Sequence, residues 1–135
     1  MSTLELIKLV QDAAEREANG DATAHHELVN AVQQLHRAVT TPVEKMIRLR
    51  FQCIMNVCIR VCQEWGILQA LAARNTHTTA AELSQETSVD ELMIVRILRL
   101  VVHAGLVDEV GPSTYMSNAA TSFATTKGML GADKY

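Results

Sequence analysis

The stretch that decides the fold is residues 79–107, TAAELSQETSVDELMIVRILRLVVHAGLV. It contains two capping boxes, one formed by Thr79 with Glu82 before a short helix, and one by Ser88 with Glu91 before a longer helix. Apolar residues recur at helical spacing through the longer helix, and a glycine follows its end. The stretch therefore predicts two helices joined by a short turn.

A β-hairpin is predicted directly after the longer helix. Residues 106–110 are typical of a strand, residues 111–114 of a turn, and residues 115–117 of the returning strand. A short helix, a turn, a longer helix and a hairpin together make the winged-helix arrangement, a helix-turn-helix with a β wing. We therefore predict a mostly α-helical fold of this class, preceded by extra N-terminal helices.

Two amphipathic helices are predicted within residues 1–40, with a turn at residues 19–21, Asn-Gly-Asp, between them. In the second helix, Leu28 and Val32 lie four residues apart and therefore share a face. Such periodicity indicates that one face is buried. The cover is either the chain's own body or a partner subunit, and the sequence leaves both open.

A third, more apolar helix is predicted after Thr41, where Pro42 and Glu44 complete a strong helix start. It carries two apolar seams, so it must be covered on two sides. In a chain of 135 residues, this favours a second molecule as the cover and predicts a homodimer. The residues predicted to form the interface are Ile47, Phe51, Met55, Ile59, Leu28 and Val32.

The predicted organisation has three parts. Residues 1–40 are expected to form a dimer arm, residues 41–124 a winged-helix dimerisation domain, and residues 125–135 a C-terminal tail. The composition, 48% hydrophobic and 20% charged, is that of a globular chain rather than a disordered one.

Charge and hydropathy disfavour two classes of partner. Residues 76–110 hold two basic and six acidic side chains, so counterion release would add almost nothing to binding of duplex DNA. Nucleic acid is therefore not an expected partner. No uncharged window of 18 residues is present, so a membrane span is not expected either. The chain begins without a basic, signal-like region, and we expect a cytoplasmic protein.

No catalytic, cofactor-binding or metal-binding residue is predicted in this chain. A Rossmann-type cofactor site requires a glycine-rich turn after a strand, and none of the six glycines lies in that setting. None of the five histidines has a partner beside it that would make it a general base. Cys53, Cys58 and Cys62 lack CxxC spacing and are expected to be reduced core thiols rather than metal ligands.

Residues 79–107 are similar to the N-terminal domain of small-molecule O-methyltransferases that depend on S-adenosylmethionine (SAM), most closely the fungal enzymes of secondary metabolism. The segment at residues 96–100, Arg-Ile-Leu-Arg-Leu, before an Ala-Gly-Leu turn carries most of the match. Residues 65–71, Trp-Gly-Ile-Leu-Gln-Ala-Leu, and residues 115–118, Tyr-Met-Ser-Asn, resemble flanking elements of that family. The resemblance covers roughly residues 42–124.

The resemblance implies a domain that dimerises through intertwined helices and lines part of a substrate pocket, with Phe51 and Met55 as candidate wall residues. Plain core or interface packing of this pair is the alternative. The resemblance also implies that SAM binds to a following Rossmann-like catalytic domain, and that the small-molecule substrate is bound only together with that domain. This chain lacks that domain, and the tail at residues 125–135 is expected to lead toward it. Some relatives catalyse pericyclic ring closures instead, and these residues do not separate the two chemistries.

Two other functions stay open at this point. One is a stand-alone interaction or regulatory relative that lacks the catalytic domain. The other, less favoured by the acidic balance of residues 76–110, is a winged-helix DNA-binding regulator.

Overall fold

The computed structural model describes residues 1–132, which are mostly helical with one small sheet. The elements, in chain order, are α1 (Thr3–Ala18), α2 (Ala24–Val39), α3 (Pro42–Glu64), α4 (Ile67–Arg74), β1 (Thr78–Thr79), α5 (Ala80–Thr87), α6 (Glu91–His103), β2 (Val107–Gly111), β3 (Thr114–Ser117), α7 (Ala119–Ala124) and α8 (Lys127–Ala132).

The chain forms two compact units. The N-terminal unit is Met1–Arg50, and the C-terminal unit begins at Phe51. This division falls inside α3, nine residues after the helix begins. The first turns of α3 belong to the N-terminal unit because they contact the end of α2, for example through Arg48 and His36.

The N-terminal unit is a helical hairpin of α1 and α2. Small side chains let the two helices approach closely, since Ala13 of α1 and Ala24 and Ala31 of α2 are buried between them. The predicted turn is confirmed and is closed by Asp21, which accepts hydrogen bonds from the Thr23 hydroxyl and from the Arg16 guanidinium. These bonds, the one from Thr23 first, lower the pKa of Asp21 to about 2.

The core of the C-terminal unit lies between α4, α5, α6 and the sheet. In α6, buried residues recur with helical periodicity, as the sequence predicts, and the large side chains of α4 meet them. The principal fully buried side chains are Ile67, Leu68, Leu71, Leu83, Ile94, Leu98, Val101, Val107 and Tyr115.

The sheet is antiparallel, with the strand order β1-β3-β2. The predicted hairpin is confirmed, with β2 and β3 joined through the turn at Pro112 and Ser113. The strand β1, where Thr78 pairs with Tyr115, was not predicted. Two residues are too few to show the period-two pattern of a strand, so only the distant partner defines it.

Within the predicted tail at residues 125–135, residues Lys127–Ala132 form the helix α8. Residues 133–135 of this tail lie outside the described residues.

Helix α5 begins as predicted, and α6 does not. Thr79 and Glu82 form the expected capping box, in which the Glu82 carboxylate accepts from the Thr79 backbone N–H at 2.7 Å. The predicted box of Ser88 with Glu91 is wrong. Asp90 caps α6 instead, because its Oδ1 accepts from the Met93 N–H at 3.0 Å. Ser88 has φ 60° and reverses the chain at the end of α5. The cap of α6 therefore lies two residues after the predicted position.

The capping assignment predicts opposite effects for two substitutions. Asp90→Ala is expected to lower the free energy of unfolding by about 1 kcal/mol, because an N-cap bond is lost. Ser88→Gly is expected to be neutral or stabilising, because glycine adopts positive φ without a Cβ clash. Urea denaturation followed by circular dichroism measures both. A loss at Ser88→Gly as large as that at Asp90→Ala would contradict the assignment.

The core assignment predicts that two leucines of α6 differ sharply. Leu98→Ala is expected to cost about 2–5 kcal/mol, because it leaves a cavity among fully buried neighbours. The matched control, Leu92→Ala, removes a side chain that is 57% exposed and should change stability by no more than about 0.5 kcal/mol. Urea denaturation followed by the fluorescence of Trp65, the single tryptophan, measures both. Equal losses would show that this face of α6 is assigned wrongly.

Candidate functional site

The most prominent surface feature is the apolar exposure of α3. This helix starts at a confirmed capping box, in which the Thr41 backbone N–H and hydroxyl both donate to the Glu44 carboxylate at 2.8 Å. Along its length, large apolar side chains are between 45% and 68% exposed. Together they form a larger apolar surface than the isolated exposed residues of an ordinary protein surface. These exposed residues are Val43, Met46, Ile47, Leu49, Phe51, Ile54 and Val57.

The C-terminal third of α3 anchors the helix to the core. Cys62 is fully buried, and Cys58 and Ile59 pack against the same cluster from one turn earlier. Burial raises the pKa of the Cys62 thiol to about 12, with a smaller contribution from Cys58. The predicted core role of the cysteines thus holds for Cys62, whereas Cys53 is exposed.

The six residues predicted to form a dimer interface fall into two groups. Ile47, Phe51 and Val32 are exposed and therefore available to a partner. Met55, Ile59 and Leu28 are half-buried, and Ile59 is partly committed to the core of its own unit.

A groove of about 610 Å³ runs along the C-terminal unit beside α3, α7 and α8. Its wall is mixed, with Val57 and Met129 as apolar residues and Asn56 and Arg60 as polar ones. Gln63 closes one side by donating to the carbonyl of Ala124 at 3.1 Å. Neither Phe51 nor Met55, the residues predicted to line a substrate pocket, contributes to this groove.

A second cavity, of about 300 Å³, lies within the N-terminal unit, and the sequence analysis missed it. It is lined by the end of α2 and the start of α3, including His36, Arg37, Lys45 and Arg48. Helical periodicity does not relate residues across the turn between two helices. The detectable signal was charge alone, since four basic residues and one acidic residue lie within residues 36–50.

The residues that a SAM site would require are not present among residues 1–132. Two junctions lead from a strand into a helix, and each is filled by its own side chain. Glu82 occupies the junction from β1 to α5, and Asn118 accepts from the Ala120 and Thr121 N–H groups at the junction from β3 to α7. Neither junction contains a glycine that would let a cofactor approach the backbone. The described residues therefore do not fit SAM.

Within residues 1–132, no group of three or more His, Cys, Asp or Glu residues is placed to hold a metal ion. None of the helices in this range combines the length and the apolar character needed to cross a bilayer.

Comparison with known proteins gives matches to fungal methyltransferases, although no protein-family model matches the chain. The chain is 26% identical over 124 residues to the methyltransferase cfoC of Aspergillus candidus, which covers 91% of this chain and 31% of cfoC. It is 30% identical over 91 residues to the O-methyltransferase dpfgI of Gibberella zeae, which covers 67% of this chain and 23% of dpfgI. The chain thus spans less than a third of the length of these relatives.

The fold is shared with solved structures. OxaC, solved in complex with SAH and oxaline, superposes with a TM-score of 0.81 at 22% identity, covering 96% of this chain and 33% of OxaC. LepI in complex with SAM gives a TM-score of 0.80 at 17% identity, covering 98% of this chain and 34% of LepI. At such identities the likeness is one of fold.

The resemblance stated from residues 79–107 is therefore confirmed. The chain is similar in sequence to the N-terminal part of fungal O-methyltransferases and shares the fold of about one third of OxaC and LepI.

The burial of Cys62 predicts a protected thiol. In the native chain at pH 8, iodoacetamide should leave Cys62 unmodified, because its pKa of about 12 and its lack of exposure keep it protonated and covered. In urea, its pKa returns to the ordinary value of about 8.5 and the thiol should react. Mass spectrometry of the peptide that contains Cys62 measures both states. Equal labelling in buffer and in urea would contradict the anchoring role of this residue.

Proposed function

We propose that this chain is the N-terminal dimerisation domain of a SAM-dependent small-molecule O-methyltransferase of fungal secondary metabolism. The coverage of the comparisons carries the proposal, because the matches take up 67–91% of this chain and only 23–31% of the fungal methyltransferases. Methyl transfer is accordingly assigned to a domain outside the chain. The described residues do not fit SAM, which agrees with that division of labour.

In this proposal, α5, α6 and the β2–β3 hairpin form a winged helix that supports a protein interface. A DNA reader would present basic or amide side chains from the first turns of α6. Here those turns expose Leu92 and Met93 beside Glu91, an apolar and acidic surface that favours a protein partner over DNA.

The proposed partner is a second copy of the chain. An intertwined homodimer would remove from water the exposed apolar side chains of α3 and the side chain of Val32 on α2. Burial of this apolar surface supplies the driving force for dimerisation. Residues 1–40 act as the dimer arm, and residues 41–124 form the dimerisation domain. We also assign the protein to the cytoplasm, where its three cysteines would stay reduced.

Substrate contact is proposed only in the complete enzyme. Phe51 and Met55 lie one helical turn apart on α3, where a pocket closed by the catalytic domain would meet them. SAM and a small-molecule acceptor then bind mainly to that domain. A pericyclase is the second candidate for the whole protein, because a pericyclic reaction enzyme shares this fold with a TM-score of 0.79.

The size of the native polypeptide separates the enzyme from a stand-alone relative. An antibody raised against this chain should detect a product larger than 14.8 kDa by at least one domain of about 100–250 residues. A product near 14.8 kDa would overturn the assignment to an enzyme and favour a stand-alone interaction module.

The dimer predicts unequal effects of two phenylalanine substitutions. The chain should sediment as a dimer at 10 μM, and Phe51→Glu should raise the dissociation constant of the dimer at least tenfold. Each copy loses the burial of one aromatic ring, worth about 1.5–3 kcal/mol. The matched control is Phe123→Glu in α7, since Phe123 is 65% exposed against 58% for Phe51 and lies outside the predicted interface.

Sedimentation velocity over a range of concentrations measures all three proteins. A monomeric chain at 10 μM would overturn the dimer. Equal weakening by the two substitutions would show that α3 is not its interface.

A further inference from the structure

A basic corner joins α2 to α3 in the N-terminal unit; it consists of Arg37, Lys45 and Arg48 with His36. Arg48 Nη1 donates to His36 Nε2 at 2.6 Å, since an arginine side chain has no acceptor. This contact brings no carboxylate to the guanidinium, so it does not balance the positive charge of Arg48.

No ion pair within residues 1–132 involves Arg37, Lys45 or Arg48. Arg16, in contrast, is paired with two carboxylates of its own chain. Glu44 lies nearby and interacts electrostatically with Arg48 and His36, but it forms no ion pair with them among the described residues, and Thr41 donates two hydrogen bonds to its carboxylate. One neighbouring carboxylate is fewer than the three cationic side chains of the basic corner, so the corner keeps an excess of positive charge.

The outer face of α1 is the opposite case. Asp12 and Glu15 lie three residues apart on one helical face, away from the buried positions Leu6 and Ala13, and both are exposed. Neither forms an ion pair among the described residues. Leu9, also exposed, lies one turn before Asp12, so the acidic face of α1 has an apolar flank.

The two surfaces are complementary in charge and in chemistry. Residues 1–30 hold six acidic and two basic side chains, while residues 36–50 hold four basic and one acidic. The basic corner is flanked by exposed Val43, Met46 and Leu49, which a small free anion would leave in water. An acidic helix with leucine beside its carboxylates covers both the charge and the apolar flank.

We infer that the basic corner of one copy binds the acidic face of α1 of a second copy, and that this pairing fixes the register of the homodimer. The inference rests on the proposed dimerisation and names its electrostatic contact. In a two-fold dimer, the contact forms twice, once in each direction. Complementary charge sets orientation and suppresses wrong pairings, while the apolar surface of α3 supplies the affinity.

A charge-swap experiment tests the pairing in the full 135-residue chain. Variant A, Lys45→Glu with Arg48→Glu, makes both surfaces negative, and variant B, Asp12→Lys with Glu15→Lys, makes both positive. Each variant alone should dimerise at least tenfold more weakly than the original chain at 50 mM NaCl, because both contacts become repulsive. An equimolar mixture of A and B should recover a heterodimer, because both contacts are again attractive.

The control is Lys127→Glu, a charge reversal at an exposed position of α8 outside both surfaces, which should leave dimerisation within twofold of the original chain. Circular dichroism checks that each variant is folded. If A or B does not fold, the neutral pairs Lys45→Gln with Arg48→Gln and Asp12→Asn with Glu15→Gln replace them. Raising NaCl from 50 to 500 mM screens charge interactions and should weaken the original dimer. The same change in salt should weaken the dimer of each neutral variant less.

Three results would overturn the inference. A dimer whose affinity changes with neither substitution nor salt would do so while leaving the proposed dimerisation intact. Failure of A and B to form a heterodimer, with both folded, would do the same. A monomeric original chain would overturn the proposed dimerisation and this pairing with it.

Discussion

One constraint governs the structure: α3 carries more apolar surface than a single chain covers. Its last turns pack Cys62 into the core of the C-terminal unit, whereas Phe51 and its neighbours toward the start of the helix remain in water. A surface of this kind is costly to expose and favours association. The rest of the C-terminal unit, with α4, α6 and the sheet packed together, holds the anchored end of α3 in place.

Local signals in the sequence predicted local structure well. The Thr79–Glu82 capping box is confirmed because both partners lie within one helical turn. At the start of α6, the pattern predicted Ser88 as the cap, whereas Ser88 is left-handed and Asp90 caps the helix. Residue types alone do not fix that angle, so Asp90 could not be identified from the pattern.

Features that depend on distant contacts could not be predicted. Strand β1 exists because Thr78 pairs with Tyr115, far along the chain. The contact between His36 and Arg48 crosses a turn between two helices, where periodicity carries no information. In the same way, the seam on α3 was visible in the sequence, but only packing against the core shows that Ile59 is already partly covered.

The fold of this chain does not by itself select a chemistry. Proteins described as a pericyclic reaction enzyme and as complexes with SAH or SAM share it at TM-scores of 0.79–0.81. At identities of 17–22% the likeness is one of fold, so the role of this chain depends on what its own surfaces present. It presents the exposed apolar side chains of α3 and, in the N-terminal unit, a basic corner and an acidic helix face. These surfaces suit the proposed role of bringing two copies together, because apolar contact supplies affinity and opposite charges set the orientation.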